Sequence, residues 1–385
     1  MSDVETEIHG TCAPGYEPVR DAFAANFAER GEIGASVAVV AAGEPVVELW
    51  AGWADPARTR AWGRDTLTNV WSTTKAMTSL CAHILMERGE LDPDAPVARY
   101  WPEFAAGGKA DIPVRWIMGH RSGLSGLSVP VSVQDYYDWD KVTALLAEQE
   151  PLWEPGTATG YHAITFGYLI GEVIRRIAGQ SPGRFFGSEI AGPLGADFHI
   201  GLAESELGRC ADLQGVRPSE QEQAAVAQAY ANAHPAAMAA LTNPPLTGDE
   251  ANEADWRMAE IPAANGHGTA AALATVFGTL VDGSERLISA ATLRRACTGQ
   301  GRYTDLVLGF PLEFGLGFAL SGPEHHYGPN PGAFGHDGFG GSAVCADADA
   351  GVAIAYVMNR MGMNLSDDPR KMALIDAVYR SGGRG

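Results

Sequence analysis

The chain has 385 residues, of which 46% are hydrophobic and 19% charged, and carries a formal net charge of -20 at pH 7. A polypeptide of this length and composition buries a substantial core, so global disorder is excluded and one large domain or two lobes is expected. The acidity excludes a nucleic-acid binder, because neutralising phosphates takes a basic surface and no Lys/Arg-rich stripe is present.

In chain order, the opening MSDVETEIHG is acidic and polar, without the basic and apolar regions of a secretory signal. Residues 34–42 and 45–52 predict two strands around a turn at Ala42–Glu44. Residues 73–88 predict a helix: Met77, Leu80, Cys81, Ile84 and Leu85 share one face, and Gly89 suits the C-terminal cap. Further helices are expected near 141–149, 163–178 and 270–282. The stretch 218–258 reads as partly loop-like, either lining an active site or a simple insertion. Residues 342–346 and 352–358 predict a hairpin around Asp347–Gly351, and a last helix is expected over about 368–380. Strands at both ends with helices between them predict an α/β (α+β) fold. An antiparallel sheet built from both termini would be flanked by helices and carry an inserted, mainly helical lobe. The expected division of residues 1–385 is a single domain, with an α/β lobe from about 15–70 and 266–385 and a helical lobe over about 71–265. No run approaches 18 apolar residues, so no membrane span is expected. The five cysteines, Cys12, Cys81, Cys210, Cys297 and Cys345, are scattered without a C-x-x-C pair, which fits reduced thiols in the cytoplasm.

Three stretches carry chemistry. The first is WSTTK, residues 71–75, at a predicted helix start. Ser72 and Lys75 share a face there, so the amine can reach the hydroxyl. A serine hydroxyl needs a base to become a nucleophile, and a lysine serves once burial lowers its pKa. Only four lysines occur, Lys75, Lys109, Lys141 and Lys371, so the placement of one here is informative. Backbone N–H groups at a helix start can also stabilise an oxyanion. Alone, the pattern is equally that of an N-cap serine beside a solvated lysine. The second stretch is WEPGTATGYHA, residues 153–163, where Tyr161 follows a Pro-Gly turn. A phenol there can act as base or proton relay if a nearby ammonium favours its phenolate, or can simply pack at the start of a helix. The third is FGHDGFGGS, residues 334–342, a glycine-rich run leading into a strand. Such backbone lets a substrate approach closely and can offer a second N–H to an oxyanion.

In this order and spacing, the three stretches resemble the serine β-lactamase and penicillin-binding-protein superfamily, most nearly class C β-lactamases and family VIII carboxylesterases. Supporting phrases include LDPDAPVARYWPEF (91–104), IMGHRSGL (117–124), PLWEPG (151–156) and FGYLIGEVIRRIAGQS (166–181), and the likeness runs from about residue 15 to 380. The resemblance implies a two-lobed fold with the site between the lobes. It makes Ser72 the acylated nucleophile, Lys75 its activating partner, and Tyr161 the base and leaving-group proton donor. It places the oxyanion hole at the backbone N–H groups of Ser72 and Phe339. His336-Asp337-Gly338 stands where β-lactamases have K-T-G, and Ala163 stands where their Y-x-N motif has Asn. Those two departures point away from β-lactams and towards ester cleavage.

The expectation is a cytoplasmic serine carboxylesterase for short-chain or small aromatic esters, needing no cofactor and no metal. An acyltransferase, or an amide or β-lactam hydrolase, would use the same acyl-enzyme. The partner is a small-molecule ester, with neither nucleic acid nor membrane, and a homo-oligomer is compatible with the sequence. His336, Gly338, Gly340, Tyr136, Tyr137 and Trp153 are expected to contact substrate. His120 and Ser122 are expected to fix a turn under the site. His267 and the His325–His326 pair are read as a structural histidine and a solvated loop pair.

Overall fold

The computed structural model describes residues 6–323, 326–364 and 366–381, so the chain's first five residues and His325 lie outside the described residues. The main sheet has seven strands: β1 (Ile8–Cys12), β2 (Gly34–Ala41), β3 (Glu44–Gly52), β4 (Ala319–Leu320), β5 (Phe334–Asp337), β6 (Ala343–Asp347) and β7 (Val352–Met358). Their spatial order is β1-β3-β2-β7-β6-β5-β4, with every neighbouring pair antiparallel. The sheet is therefore drawn from both ends of the chain and joined where β2 pairs with β7, from Ala41↔Val352 to Ala35↔Met358.

Every residue of β2 and β7 is buried, so both faces of the sheet centre are covered. That is why GASVAVVA and VAIAYVM are continuous small and β-branched runs instead of alternating ones. Helix α1 (Glu17–Glu29) packs on the final helix, and a long apolar helix (Ala270–Val281) lies against β2, β6 and β7. Between the two halves of the sheet run α2 (Thr74–Glu87), α3 (Trp139–Glu148), α4 (Thr165–Ala178), α5 (Glu220–Ala231) and α6 (Pro235–Leu241). The Ala270–Val281 helix is α7, and the last, Pro369–Arg380, is α8. One hydrophobic cluster runs from the sheet through α2 and α4, so the helical segment shares the sheet's core. A small sheet pairs Thr68–Asn69 and Phe198–Ile200 with Gly266–Gly268, and anchors the chain just ahead of Ser72.

The structure adds to the sequence reading in two places. Ile8–Cys12 is an edge strand on β3 that begins ahead of the expected lobe; its IHGTC pattern, mostly exposed, carries no alternation to reveal it. Much of 218–258 is helical, including α5 and α6, and the loop is confined to the segment around Thr242–Thr247. Helix α5 escapes a periodicity test because none of its residues is buried; a full capping box at Ser219 and Glu222 defines its start instead. No helix among the described residues is long and apolar enough to cross a membrane.

Behind the site, Arg370 of α8 is almost wholly buried and meets the buried carboxylate of Glu32 at 3.2 Å, Asp368 at 2.9 Å and the carbonyl of Gly340 at 2.7 Å. Tyr356 donates its hydroxyl to the same Glu32. Removing one partner of such a network strands the other charge out of water. The variant Arg370→Met should therefore lose about 3–5 kcal/mol of stability in urea denaturation, and a loss below about 1 kcal/mol would show that Glu32 is satisfied without it.

Candidate active site

Val70 donates its N–H to the Gly266 carbonyl at 2.9 Å, and the chain then turns through a 3₁₀ turn, Trp71–Thr73, into α2. Trp71 sits at φ 46°, the left-handed region that a bulky residue rarely enters. Packing holds it there: its ring lies 5.2 Å from that of Trp256 and 5.6 Å from that of Phe339, and Thr74 donates its hydroxyl to the Trp71 carbonyl at 2.6 Å. Ser72 is thus on the turn before α2, not within the helix, and Lys75 is in the first helical turn.

Lys75 is fully buried. Its Nζ lies 2.9 Å from Ser72 Oγ, 2.7 Å from the Ala163 carbonyl and 3.0 Å from the Ala263 carbonyl. Burial pushes its pKa well below the usual lysine value. A neutral amine has two N–H groups and one lone pair. With the N–H groups on the two carbonyls, the lone pair faces the Ser72 hydroxyl. Ala163, which lacks the amide side chain of the Y-x-N pattern, holds the amine through its backbone instead.

Tyr161 is buried, with its ring centre 4.7 Å from Lys75 Nζ. Its backbone N–H donates to Asp305 Oδ1 at 3.0 Å, and its ring stacks on Phe314 with centroids 6.1 Å apart. Burial raises the phenol's pKa, while its interaction with Ser72 pulls the other way. The electrostatics thus differ from the ammonium-stabilised phenolate read from the sequence: burial drives both Lys75 and Tyr161 towards their neutral forms.

The third stretch lies alongside. His336 and Asp337 close strand β5, whose register pairs them with Val344 and Ala343. Gly338 and Phe339 follow in the turn. Among the described residues the backbone N–H groups of Ser72 and Phe339 find no protein acceptor, whereas those of their neighbours Thr73 and Gly338 are bonded. Asp337 pairs with the buried Lys371 of α8 at 3.0 Å, and Lys371 also meets Asp367 at 3.2 Å. Burial disfavours the Lys371 charge, but the two carboxylates outweigh it and raise its pKa.

Ser72, Tyr161, His336, Gly338 and Phe339 all line one cavity of about 220 Å³. Gly340, Tyr136, Tyr137 and Trp153, expected to contact substrate, are not on its wall. Gly340 turns away, its carbonyl taken by Arg370. Tyr136 is buried in the helical segment, stacked on Tyr168 and bonded through its hydroxyl to the Asn243 carbonyl at 3.0 Å. Tyr137 is half-buried beside it, packed against the core. Trp153 packs over Gly160 and edge-on to His162. The wall is instead apolar; one part comes from 218–258, the stretch read as lining an active site or as an insertion, and another from 306–314, to which no role was given. Tyr230 of α5, Leu241 of α6 and Leu246 form one side, while Leu308, Phe310 and Phe314 form another. The signal for the second was the run LVLGFPLEF (306–314), too apolar for an idle loop.

Beneath Tyr161, His120 Nδ1 accepts the His162 N–H at 3.1 Å, and Ser122 Oγ lies 2.7 Å from His162 Nε2. Both residues brace a turn, as their sequence context implied. His267 lies on the small sheet, off the cavity wall, with Nδ1 2.7 Å from the Asn265 carbonyl. His326 is on a loop against Asp367. Among the described residues no cluster of three or more His, Cys, Asp or Glu is placed to hold a metal ion.

With this geometry, the sequence model of the β-lactamase family matches residues 19–379. The chain belongs to the β-lactamase family. Within it, the esterase/β-lactamase LipL of Mycobacterium tuberculosis is 36% identical over 377 residues, covering 93% of this chain and 84% of that protein. The crystal structure of a family VIII carboxylesterase superposes with a TM-score of 0.91 at 44% identity, covering 97% of this chain and 99% of that one. A penicillin-binding protein homologue from Caulobacter crescentus superposes with a TM-score of 0.88 at 41% identity, again over 97% and 99%. The fold expected from sequence is that of these β-lactamase-family structures.

Burial lowers the His162 pKa to about 3, and its Nδ1 lies 2.6 Å from the Gly160 carbonyl, which makes it the Nδ1–H tautomer with Nε2 accepting from Ser122. Its imidazole ¹⁵N shifts should therefore stay constant between about pH 5 and 8, where an unperturbed histidine titrates; a titration there would refute the assignment.

Proposed function

We propose that this protein is a serine carboxylesterase acting on short-chain or small aromatic esters through an acyl-enzyme on Ser72. The observation that carries the reading is the 2.9 Å contact between Lys75 Nζ and Ser72 Oγ, with the amine buried behind a serine that lines a mostly apolar cavity. The 44% identity to a family VIII carboxylesterase and the esterase name of LipL support it.

In this mechanism the Lys75 lone pair takes the Ser72 proton as Oγ attacks the ester carbonyl. The N–H groups of Ser72 and Phe339 hold the oxyanion, each worth about 3 kcal/mol. As the C–O bond breaks, Tyr161 gives its proton to the departing alkoxide and is reprotonated from the Lys75 ammonium. Water then attacks the acyl-enzyme, its proton passes through Tyr161 to Lys75, and Lys75 returns one to Ser72 Oγ as the acid leaves. Neutral ground states for both groups suit these roles, since Lys75 begins as a base and Tyr161 as an acid.

A cavity of about 220 Å³ with a mostly apolar wall favours a small, uncharged acyl group. His336 and Asp337 on that wall offer no fixed cation to the carboxylate of a β-lactam. The reading includes a single domain whose lobes, residues 15–70 with 266–385 and residues 71–265, meet at Ser72. It also includes a cytoplasmic setting, which the free thiols Cys12, Cys81, Cys210, Cys297 and Cys345 support.

Ser72→Ala should lower turnover of p-nitrophenyl butyrate at least about a thousand-fold, and undiminished turnover would reject the acyl-enzyme. Lys75→Arg keeps a positive charge but has no accessible neutral form, so it should lose about a hundred-fold or more. In the wild type, kcat/KM should fall as pH drops and Lys75 gains its proton. That limb should lie well below the usual lysine pKa near 10.4. Leu308→Trp reduces the free volume of the cavity and should penalise p-nitrophenyl hexanoate over acetate by about tenfold or more.

A further inference from the structure

The two proposed oxyanion donors sit on segments remote in sequence, one before α2 and the other after β5. An oxyanion hole works only if both N–H groups meet a single oxygen, so something must fix the spacing of the two segments. Two buried hydroxyls bridge them. Ser342 Oγ donates to the Val70 carbonyl at 2.7 Å, and Thr73 Oγ1 lies 3.1 Å from Ser342 Oγ. Ser342 has one hydroxyl proton and spends it on Val70, so the Thr73 hydroxyl donates to Ser342 at 3.1 Å, its nearer acceptor, with the His336 carbonyl at 3.5 Å as the farther one. The wire runs from Thr73 through Ser342 to Val70, and it crosses from one segment to the other and back.

Both ends of the wire close on the donors. The Val70 carbonyl also accepts the Thr73 N–H at 3.2 Å, which tightens the turn holding Trp71 at φ 46° and Ser72 after it. On the other segment, Gly338 donates its N–H to the Ser342 carbonyl at 2.7 Å, and Gly341 donates to the Gly338 carbonyl at 3.0 Å. Phe339 lies inside that turn. The two segments touch so closely that a Cβ on Gly338 would lie 2.1 Å from Ser342 Oγ and 2.2 Å from the Val70 carbonyl oxygen. Thr73 and Ser342 are 0% and 1% exposed, so water is not at hand to replace either hydroxyl. Neither lines the cavity.

We propose that Thr73 and Ser342 are positioning residues for acyl transfer: their hydroxyl wire sets the distance between the Ser72 and Phe339 N–H groups and holds the strained nucleophile turn. The proposal rests on the serine-esterase reading above. A set distance between donors matters most when the oxygen carries full negative charge, so the wire should act on the transition state more than on substrate binding.

The test uses the full chain with active sites counted by a fluorophosphonate. Ser342→Ala and the near-isosteric Thr73→Val should each lower kcat per titrated site for p-nitrophenyl butyrate by about ten- to a hundred-fold, with KM changed less than about threefold. The Ki of a trifluoromethyl ketone, whose adduct oxyanion occupies the same hole, should weaken by the same factor. Thr73→Ser, which keeps the hydroxyl, should stay within about threefold of wild type. Variants that melt earlier or titrate fewer sites, yet keep wild-type kcat per site and inhibitor affinity, would overturn the proposal and leave the wire a packing feature. Failure of the fluorophosphonate to label Ser72 in the wild type would instead reject the esterase reading itself.

Discussion

The molecule is organised around one lysine withdrawn from water. An ammonium placed where Lys75 lies would need compensation from a carboxylate, and its neighbours are two carbonyls and a hydroxyl. The group resolves this by favouring its neutral form, which is also the form that can accept a proton. Each element around it serves that state. Helix α2 supplies the lysine from a face packed into the core. The loops at Ala163 and Ala263 supply carbonyls, and the small sheet pins the chain just before Ser72. Desolvation, usually a cost to stability, here favours the form of the lysine that the proposed mechanism needs.

The same dryness governs Tyr161. A buried phenol holds its proton, and the nearest cationic candidate is itself biased towards neutrality. Burial thus biases both Lys75 and Tyr161, the neighbours of Ser72, towards their uncharged forms. In the proposed mechanism charge appears only as the Ser72 proton moves, and the unbonded N–H groups of Ser72 and Phe339 are the ones proposed to meet it. The carboxylate of Asp337 is kept quiet by Lys371, so the cavity wall presents no unopposed ion to an incoming neutral molecule.

Much of this was legible in the sequence because its signals are local. The strand pair at 34–52, the closing hairpin and the helix after Ser72 follow from runs of residues that admit little else. WSTTK, Tyr161 and the HDGFGG run were readable as motifs, and the structure brings them to one cavity. The identity of the cavity wall was not legible. Tyr136, Tyr137 and Trp153 have the composition of a binding pocket, but the direction in which an aromatic ring points depends on what packs behind it. Tyr168 and His162 turn two of them away. Leu308 and Phe310 face the cavity because Asp305 caps the backbone of Val307 and Leu308 while also holding Tyr161. Such a long-range tie leaves no pattern in a single sequence. Nor does Ala163 announce its backbone role, since any residue there would present a carbonyl.

Helix α5 has no buried residue, yet it lends Tyr230 to the cavity, and the segment after it adds Leu241 and Leu246. This side of the wall is therefore drawn from the helical segment and not from the main sheet. Substitutions there can reshape what the cavity admits while the lysine, the serine and the glycine turn stay in register. A lineage starting from this scaffold can change its diet by drift in a surface helix and loop, without first acquiring the compensating mutations that alterations near α2 would demand.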